Sequence, residues 1–252
     1  MERDGQDIPH QGMARDEGTH DGSVHCAVES GTGGNAPMTD AKMDYSSAMT
    51  TMTIDEARAL LWSRVPSGET WGAHSETVAR TAGTLADALA AAGERVNPAL
   101  ARTGGLLHDI GRSITHHGTG HCWEGYQLLR GMGQPVLARF CVAHSYGGMT
   151  AEQAVRVGWP DADYRPYTWE EKVVTIADGL THFARVVFLD ERVASVLERY
   201  RHSVGTPDYT LLADIVTKNR ALMAEVEAVI GQPVEPLVGA QHLEVAGVAC
   251  EG

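Results

Sequence analysis

The chain has 252 residues, 43% of them apolar and 21% charged, with a formal charge of −13 when histidines are neutral. That length suits one large domain or two small ones. The acidic balance excludes duplex nucleic acid and anionic membrane as partners, since both require a basic face, but a small phosphorylated substrate stays open because bound metal ions and a few local cations reverse the field inside a pocket.

Residues 1–50 are poor in large apolar side chains and rich in Gly, Asp and Ser, and they read as a disordered leader. This leader carries His10, His20 and His25, and Met38, Met43, Met49 and Met52 are alternative starts. From Thr53 the texture changes. Thr53 and Glu56 form a capping-box pattern ahead of a helix to about Val65. A second helix starts near Trp71, with Val78, Ala82, Leu85 and Leu89 at helical spacing and Gly93 at its end. Asn97-Pro98 supplies an N-cap followed by proline at the first helical position, and this third helix reaches about His108. Further helices are predicted near 122–132, 135–145 and 150–157. Thr168 and Glu171 cap a long one to about Val187, with Val173, Ile176, Ala177, Leu180 and Phe183 as its buried stripe. Two more follow near 190–202 and 208–230, and the tail over 231–252 is weakly patterned. No strand alternation or internal repeat stands out. The expectation is one all-α domain over 53–230, whose last helices leave room for a homodimer interface.

Cys26, Cys122, Cys141 and Cys250 are scattered, with no CxxC pair among them, which suits a reduced protein rather than a zinc knuckle. No apolar run approaches the roughly 18 residues that a membrane helix needs, and no signal-peptide core is visible. A soluble, cytoplasmic protein is expected.

The chemistry concentrates in GGLLHDIGRS, Gly104 to Ser113, where an apolar helix ends in His108-Asp109. Adjacent imidazole and carboxylate at a helix end can reach one cation and suit Fe, Mn, Co, Ni or Zn. His74 lies on the helix upstream, and Asp178 lies downstream beside the stripe residue Ala177. A carboxylate aimed at a core is costly unless paired or bound to metal. His121 and His144 can serve a second ion, with Asp109 bridging the two. His116 and His117 then remain for proton donation to a leaving oxygen or for phosphate binding, or simply as a solvated loop. Arg112 follows Gly111 at the mouth of this constellation and has the planar fork that suits phosphate. Lys172 lies two turns before Asp178 as a second candidate cation, and Tyr146 with Gly147-Gly148 offers a wall for a base or sugar.

The order His, His-Asp, Asp on helices of one bundle resembles the HD superfamily of metal-dependent phosphohydrolases, and the motif HDIG resembles its HDIG subgroup. The stretch from HDIGRSITHH through HCWEGYQLLR to VVTIADGL is similar to small HDIG-type proteins common in archaea, and the likeness covers about residues 71–187. It implies an all-α HD-domain helical bundle with His74, His108, Asp109 and Asp178 as the primary ligands of a divalent transition metal. It also implies a second ion at His121 and His144. The loop HHGTGH is longer than in relatives, which keeps both His117 and His121 in contention for that position.

The resemblance implies hydrolysis of a small phosphomonoester, with a nucleotide or nucleoside-analogue 5'-monophosphate the favoured class. Other proteins with similar ligand order bind two irons and oxidise small hydroxylated compounds such as phosphonates, so a mixed-valent diiron oxygenase is the alternative. A non-catalytic nucleotide-binding HD module is the third reading.

Overall fold

The computed structural model describes residues 52–116, 118–205 and 207–243. The expected leader at 1–50, the loop residue His117 and the tail beyond 243 lie outside the described residues.

Helix α1 (Ile54–Arg64) begins at the expected capping box. Thr53 Oγ1 accepts from the Glu56 amide at 3.2 Å, and Glu56 Oε2 accepts from the Thr53 amide at 2.8 Å. Helix α2 (Trp71–Ala91) is the longest, and α3 (Pro98–Leu107) starts where Asn97 Oδ1 accepts from the Ala99 and Leu100 amides. The two helices cross closely at Gly105, where a Cβ would meet Ala79 Cα at 2.6 Å. A side chain there would prise α3 off α2, so this glycine sets how near the ends of α2 and α3 can come.

A 3-10 turn (Ile110–Ser113) leads toward α4 (Gly120–Gly131), which packs on α5 (Pro135–Ala143). A second 3-10 turn (Ser145–Gly147), the short α6 (Ala151–Arg156) and α7 (Trp169–Gly179) follow. Helix α7 packs across α2 and α3. Leu85, Leu89, Leu107, Leu129, Phe140 and Ile176 are among the fully buried side chains of the shared core. Each contributes roughly 1.5–3 kcal/mol through burial.

Two details of α7 depart from the sequence reading. Thr168 caps it through its hydroxyl, which accepts from the Glu171 amide at 3.2 Å, but the Glu171 carboxylate does not return to the cap. It turns inward to Arg139 of α5, with Nε–Oε1 at 3.1 Å and Nη2–Oε2 at 3.3 Å. The helix also stops at Gly179 instead of running to Val187. Thr181 Oγ1 donates to the Ala177 carbonyl at 2.7 Å, and the chain enters a small antiparallel hairpin of β1 (Thr181–His182) and β2 (Arg185–Val186). The Val187 amide closes it onto the Leu180 carbonyl at 2.8 Å. Phe183 is therefore not part of a buried helical stripe: it sits at the hairpin turn, 58% exposed.

Helix α8 (Leu189–Arg199) follows, and the helix expected over 208–230 is two, α9 (Pro207–Ala213) and α10 (Ile215–Ile230), broken at Asp214. In the weakly patterned tail, α11 (Val234–Leu237) forms a short helix, and Gln241 bridges to Val187. The fold is all-α, apart from the hairpin and that bridge among the described residues. None of the described helices is long and apolar enough to cross a membrane.

Candidate metal centre

Four elements place the histidines. His74 lies in the first turn of α2, His108 at the end of α3, His121 at the start of α4 and His144 just after α5. Three of the four donate Nδ1–H to a backbone carbonyl: His74 to Phe183 at 3.0 Å, His108 to Gly105 at 2.8 Å and His144 to Phe140 at 2.9 Å. That bond fixes the tautomer and leaves Nε2 with a free lone pair, the arrangement found in metal-binding histidines.

The Nε2 atoms converge on two carboxylates. Asp178 Oδ1 lies 3.0 Å from His74 Nε2 and 3.7 Å from His108 Nε2. Asp109 divides its oxygens between two groups. Its Oδ2 faces His108 and His74, at 3.8 and 4.0 Å, while its Oδ1 faces His121 and His144, at 3.0 and 3.7 Å. Two candidate ligand sets thus flank one carboxylate: His74, His108 and Asp178 on one side, His121 and His144 on the other. Cys122 lies beside the second, its Sγ 3.3 Å from His121 Nε2 and 3.6 Å from His144 Nε2.

The donor set fits a divalent transition metal, being imidazole and carboxylate with one thiol. His108 Nε2 is completely buried yet has no hydrogen-bond partner, an arrangement that costs free energy unless the nitrogen ligates something. Burial pushes the Asp109 carboxyl up, but Arg112, then His108 and His121, outweigh it and hold the group well below the ordinary carboxylate range. Asp178 behaves alike, burial being outweighed by the facing His108 and His74 imidazoles. Both carboxylates are therefore ionised at neutral pH and available as ligands.

The centre opens into a cavity of about 500 Å³. Its wall is cationic although the chain is acidic. Arg112 Nε contacts Asp109 Oδ2 at 2.5 Å, and Arg192 and Arg199 reach the cavity from α8. Arg192 Nε donates to the Thr181 carbonyl at 2.8 Å, while its Nη1 is buried without a partner. Burial first, then Arg192 and Arg199, push the pKa of His182 down, so this cavity residue is neutral at pH 7. Tyr146 also lines the cavity. It and Phe183 are the non-glycine residues with left-handed backbone among those described, at φ 51° and 52°. Such backbone is strained and is retained where surrounding structure fixes it. At Phe183 it aims the carbonyl that orients His74; at Tyr146, Lys218 Nζ holds the carbonyl at 3.2 Å.

The structure thus brings His74, His108, Asp109, His121, His144 and Asp178 together, with Arg112 and Tyr146 beside them. Lys172 is a correction. It is not at the cavity; its Nζ pairs with Glu225 of α10 at 2.5 Å and lies over the Trp169 ring. Six residues of helix turn it roughly 120° away from the Asp178 face. His116 is exposed and does not line the cavity, and His117 lies outside the described residues, so His121 is the described histidine of that loop region at the centre. Sequence reasoning passed over Cys122, Arg192, Arg199 and His182. Adjacency to His121 was the available signal for Cys122. The α8 arginines have no local signal, since the hairpin alone returns them to the site.

The HD domain family model matches residues 71–182, a span that holds all six converging side chains. An uncharacterised protein of Methanocaldococcus jannaschii is 39% identical over 133 residues, covering 52% of this chain and 76% of that protein. A tRNA (cytidine(56)-2'-O)-methyltransferase of Picrophilus torridus is 28% identical over 165 residues, covering 65% of this chain and 43% of that enzyme. The enzyme of the same name from Thermoplasma volcanium is 38% identical over 82 residues, covering 32% of this chain and 24% of its own. The chain therefore spans less than half the length of either methyltransferase. No solved structure matches. The matched span opens on the helix that carries His74 and closes in the hairpin beyond Asp178, and on this agreement of sequence and ligand order the chain belongs to the HD-domain superfamily.

Proposed function

We propose that the protein is a metal-dependent phosphohydrolase that releases phosphate from a small phosphomonoester, with a nucleotide or nucleoside-analogue 5'-monophosphate as the substrate class. One observation carries this reading: a carboxylate shared between two imidazole sets stands at the wall of a cavity that an acidic chain has lined with Arg112, Arg192 and Arg199. His74, His108, Asp178 and Asp109 would hold one metal ion, and His121, His144 and Asp109 a second. When bound, such ions supply Lewis acidity toward phosphoryl oxygens and acidify water.

The remaining work falls to the protein. Arg112 and Arg192 present guanidinium donors to the non-bridging oxygens, and in a half-enclosed cavity those charges act with less screening than in water. The backbone bonds at Nδ1 keep the His74, His108 and His144 imidazoles from rotating, so most of the ligand geometry is set before substrate arrives. Tyr146, fixed by Lys218, offers the flat surface for a base or sugar. A volume of about 500 Å³ suits a mononucleotide and is tight for a polymer. A tRNA substrate, as in the names of the methyltransferase relatives, fits poorly with a net charge of −13.

The test is phosphate release from a panel of nucleotides, with Mn, Co, Ni, Zn, Fe or no added metal. Selective, metal-dependent release from a monophosphate supports the reading. No release with any metal, together with two irons per chain and oxygen uptake on a hydroxylated compound, would replace it with the diiron oxygenase.

A further inference from the structure

We propose that Cys122 is a ligand of the second metal position, making it a mixed imidazole–carboxylate–thiolate site distinct in kind from the first. This rests on the metal-centre reading above, and not on the identity of the substrate.

Cys122 is 2% exposed and lies beside His121 in the first turn of α4. Its Sγ lies 3.3 Å from His121 Nε2 and 3.6 Å from His144 Nε2, and both nitrogens also face Asp109 Oδ1, at 3.0 and 3.7 Å. Metal–sulfur bonds of about 2.3 Å and metal–nitrogen bonds of about 2.0–2.1 Å around a tetrahedral ion place S···N at about 3.6 Å and N···O at about 3.4 Å. The observed separations are close to those edges. A buried thiol with only a packing role looks different, and the chain supplies the comparison. Cys141 is completely buried, its Sγ donates to the Leu107 carbonyl at 3.4 Å, and burial pushes its pKa well up. Cys122 instead lines the cavity beside a set of orphaned donors, including the fully buried, unpartnered His108 Nε2 that meets Asp109 and His144 from the other side.

The consequence is chemical. His74, His108, Asp178 and Asp109 offer nitrogen and oxygen alone, a set that still accepts Mn although Co binds it more tightly. A thiolate softens the second position and turns it toward Zn, Co or Fe and away from Mn and Mg. The two positions then fill with different preferences, and a mixed-metal centre is the expected resting state in a cell that supplies both kinds of ion.

The experiment uses the full chain, stripped with chelator and titrated with Co(II) without oxygen. One of the two equivalents should bring up a near-ultraviolet sulfur-to-cobalt charge-transfer band. Cys122→Ser should remove the band and weaken that equivalent at least tenfold while the other binds unchanged; Cys141→Ser should keep both. Cobalt-edge X-ray absorption on the wild-type protein needs no variant and should show a sulfur neighbour at about 2.3 Å. Cobalt binding with no such sulfur, or a band that survives Cys122→Ser, overturns the assignment and leaves the metal centre standing. Failure to bind cobalt at all overturns both.

Discussion

Gly111, the glycine of the HDIG motif, is where a single methyl group should do the most damage. A Cβ built there would lie 1.9 Å from the His121 carbonyl oxygen, 2.4 Å from the Gly125 amide nitrogen and 2.9 Å from the His121 carbonyl carbon. All three are backbone atoms of α4, so no rotamer change relieves the clash. The turn after His108-Asp109 and the start of α4 must separate by more than an ångström. Overpacking costs typically about 1–3 kcal/mol, and a collision with backbone on this scale belongs at the upper end or above it. For a domain of this size, about 3 kcal/mol lowers Tm by roughly 6–12 °C. The same separation carries His121 and Cys122 away from Asp109, whose Oδ1 is now 3.0 Å from His121 Nε2, beyond the roughly 0.5 Å that a preorganised site tolerates. Gly111→Ala should therefore melt early and lose the second metal equivalent, read by calorimetry and by metal analysis after dialysis. Gly131→Ala, where a Cβ meets nothing within 4 Å, is the control and should stay within about 0.5 kcal/mol of wild type. A Gly111→Ala protein with wild-type Tm and full metal content would refute the reasoning.

Other consequences are equally concrete. Asp109 and Asp178 are held below their ordinary pKa, so the stability they contribute is fully present above the unfolded carboxylate value near 3.9 and is lost as pH falls through their lower folded values. The Tm of chelator-treated protein should fall steeply below about pH 4, with a shallower fall in Asp178→Asn; equal slopes would contradict this. Arg139→Ala removes the guanidinium that faces the Glu171 carboxylate, whose side chain is 0% exposed and which keeps the Tyr167 amide at 2.8 Å, and should cost about 3 kcal/mol in urea unfolding. A loss under about 1 kcal/mol would mean that the backbone donors to Glu171 suffice without the guanidinium. If the cavity binds phosphate as proposed, Arg192→Ala removes a charged hydrogen bond worth about 1.5–3 kcal/mol, so kcat/KM should fall roughly 10–100-fold, whereas Lys172→Ala should leave turnover within about twofold. Equal effects of the two would put the cationic wall in the wrong place.

What could be seen in the sequence was what local chemistry decides. The Thr53–Glu56 capping box and the Asn97-Pro98 start are short-range hydrogen-bonding patterns, and both form. His108-Asp109 was visible because an apolar helix ends there, and the ligand order along the chain pointed to the superfamily. The errors have equally physical causes. The helix ending at Gly179 was extended through Phe183 because apolar spacing continued, while the Thr181 hydroxyl takes the Ala177 carbonyl and the chain turns into a hairpin. Lys172 lies at a suitable distance from Asp178 along the helix axis but at the wrong angle around it. Cys122 has no CxxC partner, and the signal for its place at the centre is that it shares a turn with His121. Arg192 enters the cavity through the return of α8, a long-range consequence of the fold with no trace in its neighbours in sequence.

The most direct test of the central claim is metal content and phosphate release measured together for the wild type and Asp109→Ala. If one carboxylate joins two ligand sets, the wild type should hold two metal equivalents and release phosphate. Asp109→Ala should hold at most one and release none, with its helical circular dichroism intact. A variant that keeps two metals, or turns over at the wild-type rate, would contradict the account.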